Sequence, residues 1–237
     1  MLFRSGAMAL TLDGLGVDAL GLNCSVGPKE AKTMAAELAR YTAKPLIIKP
    51  NAGLPVIREG KTCFDVTPEE FGADMAALAI PGVGLVGGCC GTTPAYIAQL
   101  AGLKAQGFRP SPGVAERRGC SLRMVEGLED NTLGVCEDAE DLEGWVEKAL
   151  EQADEDISAL RLNLESIQSP EEARAIVSAV QEAVALPLIF RAGSPAMLES
   201  ILRVYAGTAM VYLGDASSSV QEELRVRGQK YGAIFVE

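Results

Sequence analysis

The chain has 237 residues, 48% of them apolar, with a mean hydropathy of +0.16; this supports a sizeable core and excludes a small disulfide-stapled domain or a disordered chain. The net charge of −11 argues against a general nucleic-acid binder, and the absence of His excludes imidazole acid–base catalysis and His metal ligands. No apolar run approaches the ~18 residues of a membrane span, and Met1–Leu12 lacks the pattern of a signal peptide, so a cytoplasmic protein with no membrane partner is expected.

The elements alternate between strand and helix. Ala7–Leu15 is helix-like, Asp18–Leu22 is a short buried strand, and Pro28–Thr42 has helical spacing at Ala31, Met34, Ala35 and Leu38. Pro45–Lys49 is the second strand. Thr67–Leu78 is a helix with Thr67 as N-cap ahead of Pro68. Val83–Val86 is the third strand, and Thr92-Thr-Pro94 opens another helix. Further on, helices are expected at Leu142–Ala153, Glu171–Val184, Pro195–Tyr205 and Ser219–Lys230. Strands are expected at Ala159–Asn163, Leu186–Phe190, Ala209–Leu213 and Ala233–Val236. This alternation implies parallel sheets.

Charge divides unevenly. Residues 1–110 carry 10 Lys/Arg and 9 Asp/Glu, whereas residues 111–237 carry 11 and 23. The change falls at Phe108-Arg-Pro-Ser-Pro-Gly113, which has the composition of a linker. Two units, 1–107 and 120–237, joined by a linker at 108–119, are therefore expected. The acidic run Glu137–Glu143 reads as a solvated face or a helix start. Each half is shorter than half of the ~250 residues of a closed eight-unit barrel. The first half begins in a helix and the second stops in a strand. The expected fold class is α/β: a partial (β/α)8 barrel followed by the partial start of a second α/β barrel. A small open three-layer fold in each half is the alternative.

Three cysteines fall at strand ends. Cys24 follows the first strand, and Cys89 and Cys90 follow the third in Gly87-Gly-Cys-Cys-Gly-Thr-Thr-Pro94. Sites in parallel α/β folds form at the C-terminal ends of strands. Consecutive strand residues point to opposite faces, so Cys89 and Cys90 can share one ion only if the backbone leaves strand geometry. Gly87, Gly88 and Gly91 permit such a turn. Three thiolates around zinc would leave one tetrahedral position free, the mark of a catalytic site. Such an electron-rich centre suits activation of a substrate thiol, which implies alkylation of that thiol. The competing readings are buried cysteines acting as small hydrophobes, and a phosphate-binding loop at Gly87–Gly91 running into a helix N-terminus. A non-catalytic scaffold or fragment is a further alternative. Cys63, Cys120 and Cys136 read as ordinary free thiols.

Three blocks, Gly16-Val-Asp-Ala-Leu-Gly-Leu-Asn-Cys-Ser-Val-Gly-Pro28, Pro50-Asn-Ala-Gly-Leu-Pro55 and Gly87–Pro94, resemble the homocysteine S-methyltransferase family over about residues 7–104. The resemblance implies zinc on Cys24, Cys89 and Cys90 with homocysteine as substrate and fourth ligand. It also implies a (β/α)8 barrel of which this chain holds the last three strands. Asn23 and Asn51 are candidates for holding the amino-acid end of homocysteine, and Asn51 has the alternative of shaping its turn. The second half resembles, more weakly, the pterin-binding barrel that follows this domain in cobalamin-dependent methionine synthases. That implies methylcobalamin and methyltetrahydrofolate through missing or partner domains, including a corrinoid-binding one, and poor turnover by this chain alone. Asn163 is a candidate pterin contact. Arg161 and Arg191 stand where that family carries acidic residues, which suggests another ligand, a corrinoid-protein docking module or a degenerate scaffold; salt bridging is the simpler role for both. S-methylmethionine and betaine are alternative methyl donors.

Overall fold

The computed structural model describes residues 2–101, 103, 109, 111, 118–121, 125–127 and 133–236. In chain order the elements are α1 (Leu2–Gly14), β1 (Leu20–Asn23), α2 (Pro28–Leu38), β2 (Leu46–Lys49), β3 (Pro55–Arg58), β4 (Lys61–Phe64), α3 (Pro68–Ala76), β5 (Val83–Val86) and α4 (Pro94–Ala101). They continue with β6 (Arg118–Cys120), β7 (Val125–Gly127), β8 (Leu133–Cys136), α5 (Leu142–Ala153), β9 (Ala159–Leu164) and α6 (Pro170–Ala183). The last are β10 (Leu188–Ala192), α7 (Pro195–Leu202), β11 (Met210–Tyr212), α8 (Ser218–Gln229) and β12 (Ile234–Val236).

Helix starts follow directly from local chemistry. Thr67 caps α3 through a reciprocal box: Glu70 N donates to Thr67 Oγ1 at 3.3 Å, and Thr67 N donates to Glu70 Oε2 at 2.9 Å. Ser169 and Ser194 cap α6 and α7 by accepting from Glu172 N and Met197 N. A proline occupies the first helical position in each, where no N–H is needed. Asp141, inside the acidic run, caps α5 by accepting from Gly144 N at 2.9 Å. Part of that run is therefore the expected helix start.

Among the described residues the strands form two parallel sheets, ordered β1-β2-β5 and β12-β11-β10-β9-β8. The α/β class is as expected from the sequence, and both sheets are open. In the first, Leu46 and Ile48 of β2 face Ala31, Ala35 and Leu38 of α2 and Phe71 and Met75 of α3. In the second, Leu160, Leu162, Leu188, Phe190 and Val211 pack against Trp145, Ile176, Val177, Val180, Leu198 and Ile201. Tyr205 is buried there; its hydroxyl donates to Cys120 O at 2.9 Å and accepts from Leu188 N at 3.0 Å.

Three expectations need correction. Among the described residues the second sheet has five parallel strands rather than four, because Leu133–Cys136 pairs with β9 as an edge strand. Two antiparallel hairpins, β3–β4 and β6–β7, interrupt the expected strand–helix alternation. Helix α2 ends at Leu38 rather than Thr42. Most of the expected linker at 108–119, with the unit boundary at 107, lies outside the described residues. Of its described parts, Arg109 O accepts from Gly82 N at 2.7 Å, Ser111 Oγ donates to Ala39 O, and Arg118 already belongs to β6.

Glu199 ties α7 to α8. Its carboxylate meets Arg203 at 2.9 Å, Arg227, and the Tyr231 hydroxyl at 3.3 Å. These partners, Arg203 first and Arg227 next, hold the carboxyl down at about 2 against an ordinary 4.5. The depressed value means that the stabilisation is complete above about pH 4.5 and is lost as pH falls toward 2. Glu199→Gln should therefore lower the urea midpoint at pH 7, and the difference from the parent chain should shrink between pH 4.5 and pH 2. A difference that stays constant across that window would contradict the assignment.

Candidate metal centre

The site is assembled around the residues that leave β2. Cys24 N donates to Lys49 O at 2.9 Å, and Cys89 N donates to Pro50 O at 2.8 Å. Cys90 N donates to Asn51 Oδ1 at 3.2 Å, and Cys90 O accepts from Ala52 N at 2.9 Å. The segment 49–52 thus fixes the loops after both β1 and β5, its two neighbours in the sheet.

The backbone leaves strand geometry as the vicinal pair requires. Gly91 has φ +77°, and a Cβ there would sit 2.3 Å from Phe64 Cδ2. Gly88 serves close approach instead, because its Cβ would meet Thr92 at 2.6 Å. Cys24 and Ser25 both have φ 67°, a region costly for non-glycine residues and one that the sequence does not announce.

The outcome is one sulfur cluster. The Sγ atoms of Cys24, Cys89 and Cys90 all lie within 4.8 Å of one another, and Cys24 Sγ is 3.4 Å from Cys90 Sγ. A tetrahedral set of zinc–thiolate bonds of ~2.3 Å holds its sulfurs about 3.8 Å apart. The donors therefore fit a thiophilic divalent ion without backbone rearrangement. Thiol acidity within the trio is uneven. The Ser25 backbone amide, then hydrogen bonds with Cys90 and Cys89, hold the Cys24 thiol below its ordinary value; the Asn51 side chain adds a smaller contribution. Cys90 is pushed up to about 11, first by its hydrogen bond to Cys24. One proton thus leaves ahead of another, and a bound cation would displace them all.

The other residues sort as follows. Asn23 is exposed at the end of β1. Asn51 is 5% exposed, and its Oδ1 accepts from the Cys90 amide, tying the exit of β2 to the loop after β5 rather than closing its own turn. Asn163 lies in the second sheet, where its Nδ2 donates to Glu137 Oε1 at 2.5 Å. Cys63, Cys120 and Cys136 are free thiols; burial pushes Cys136 up to about 11. The amides of Gly87, Cys89, Cys90 and Thr92 are engaged within the protein.

Residues 4–103 match the homocysteine S-methyltransferase family profile. The match spans β1, β2, β5 and the cysteine loops, and the second sheet lies beyond it. The chain is 40% identical over 111 residues to a methionine synthase of Mycobacterium tuberculosis (strain ATCC 25618 / H37Rv), covering 46% of this chain and 9% of that protein. It is 39% identical over 102 residues to a methionine synthase of Mycobacterium leprae (strain TN), covering 43% and 8%. The chain therefore spans less than a tenth of the length of these relatives. A solved structure, the YdjI aldolase from Escherichia coli K12, aligns over 98% of this chain and 78% of that one, with 13% identity and a TM-score of 0.33.

The sulfur geometry has a direct chemical test. Diamide, which oxidises two thiols as it is itself reduced to a hydrazine, should link Cys24 to Cys90 in metal-free protein, given their 3.4 Å separation. Peptide mass spectrometry should recover that crosslinked pair. Recovery of Cys24 as an unmodified thiol, with crosslinks elsewhere, would contradict the cluster.

Proposed function

We propose that residues 1–107 are the homocysteine-activating part of a zinc-dependent methyltransferase that makes methionine, as a portion of a cobalamin-dependent methionine synthase. The observation that carries this reading is the convergence of three sulfurs from two strand ends within 4.8 Å of one another. On this reading the first sheet is the last part of a (β/α)8 barrel, and residues 120–237 are a second unit behind a linker.

Cys24, Cys89 and Cys90 would hold Zn²⁺ through three thiolates, leaving a place for one more ligand. When bound, zinc would lower the pKa of an incoming thiol so that its sulfur is anionic, and still nucleophilic, at neutral pH. The chain's own residues prepare that event. The Lys49, Pro50 and Asn51 hydrogen bonds hold the sulfurs in place before substrate arrives, so little ordering remains to be done on binding. Asn23, exposed at the strand end, is assigned to the amino-acid end of homocysteine. Asn51 keeps its Oδ1 on the Cys90 amide, and its Nδ2, which already donates to the Cys24 thiol, carries a second N–H for a substrate carboxylate. Methylcobalamin, recharged from methyltetrahydrofolate, is the donor this reading favours, presented by a corrinoid-binding partner or domain. Asn163 is assigned to a pterin contact by resemblance alone.

Metal analysis tests it. Protein purified without chelator should contain one zinc per chain. Cys24→Ser or Cys89→Ser should lower zinc affinity by at least tenfold while leaving the second unit's helical signal intact. Protein that stays metal-free after anaerobic purification and zinc supplementation would overturn the reading.

A further inference from the structure

The two faces of the second sheet differ in character. One is apolar and covered by helices. The other carries a buried apolar cluster of Ala159, Ile189 and Met210 in its lower half and, beside and above it, Arg161 and Asn163 from β9, Arg191 from β10 and Tyr212 from β11. The register pairs Asn163 with Arg191, and alternation along β9 puts Arg161 on the same face as Asn163.

The pairing on this face is incomplete. Arg191 Nε meets Glu165 Oε2 at 2.6 Å, so its charge is matched. Glu137, at the end of β8, takes Asn163 Nδ2. That contact fixes the amide orientation and leaves Asn163 Oδ1 as a buried acceptor without a partner among the described residues. Arg161 also has its Nε buried and unpartnered, and it meets no carboxylate within salt-bridge distance among the described residues. Its guanidinium instead lies 4.8 Å from the centre of the Tyr212 ring, with Arg191 at 5.6 Å from the same ring. A stacked guanidinium still offers its in-plane donors to an anion. An open cavity of about 470 Å³ borders Arg161 and is lined also by Val135, Glu137, Lys148, Glu151 and Gln152. Lys148 Nζ donates to the Glu137 and Asp138 carbonyls at 2.8 and 2.6 Å, so its cation and that of Arg161 offset the Glu137 and Glu151 carboxylates of the lining.

A charged donor and a neutral acceptor, both buried and both vacant, sit two residues apart on one strand. A ligand that completes them must bring an anionic oxygen and, beside it, an N–H or O–H. We propose that this face binds a small α-hydroxy or α-amino carboxylate, its carboxylate on Arg161 and its α-substituent donating to Asn163 Oδ1. The site is separate from the sulfur cluster and does not depend on the function proposed for it.

The probe is glycolate, titrated into the full chain with arginine labelled with ¹⁵N and followed through the Nε–H signals. One arginine signal should shift saturably, and the response should vanish in Arg161→Gln. Methyl glycolate, similar in shape but uncharged, should bind at least tenfold more weakly. Asn163→Leu should remove the preference for glycolate over acetate. Should Arg161→Gln fail to fold, Arg161→Lys, which keeps the charge and loses the planar fork, should weaken glycolate at least fivefold. The proposal is overturned by the absence of a saturable shift, by equal responses to glycolate and its methyl ester, or by an unchanged response in the Arg161 variants. Tighter binding of uncharged 6-methylpterin than of glycolate would likewise overturn it and assign the face to a neutral heterocycle.

Discussion

The cysteine site depends on a backbone cross-tie at the exit of β2. Carbonyl oxygens of Lys49 and Pro50 and the side-chain oxygen of Asn51 accept from the amides of Cys24, Cys89 and Cys90. Without these bonds, the loops after β1 and β5 would be separated by the width of the strand between them, roughly 10 Å. With them, three sulfurs are drawn together although two belong to adjacent residues. Left-handed backbone at Cys24 and Ser25 is part of the same arrangement. Such strain persists where the surroundings over-determine it, and the hydrogen bonds from both sides of segment 49–52 are those surroundings.

The sequence makes some of this legible and hides the rest, for physical reasons. Thr-Pro and Ser-Pro starts are local signals, so α3, α6 and α7 begin where residue chemistry alone places them. The cysteine trio is legible because glycines bracket the vicinal pair and both loops follow apolar strands. The φ values of Cys24 and Ser25 are not, since their residue types carry no preference for that region. The β3–β4 hairpin had a readable cue in Glu59-Gly60, whose two residues both have positive φ as a tight primed turn requires. Strand β8 is harder: it is four residues long and contains Gly134, and the acidic residues after it suggest solvent rather than a sheet.

That missed strand changes how the second unit is read. Counting from Ala159 places arginines where a pterin site wants acidic groups. With β8 present, Glu137 joins the open face and engages Asn163, while Glu165 neutralises Arg191. Salt bridging thus accounts for Arg191 and leaves Arg161 unexplained. The two sheets follow one architectural plan but present different side chains: a cluster of soft sulfur donors in the first, and arginines with a hydrogen-bonding amide in the second.

On the reading proposed above, the sulfur cluster is a metal site with room for a substrate thiol. Zinc K-edge X-ray absorption on the full chain, with and without homocysteine, tests it most directly. Three sulfur neighbours at about 2.3 Å are expected in the free protein and four after homocysteine is added. A first shell dominated by oxygen or nitrogen, or one that homocysteine leaves unchanged, would contradict it.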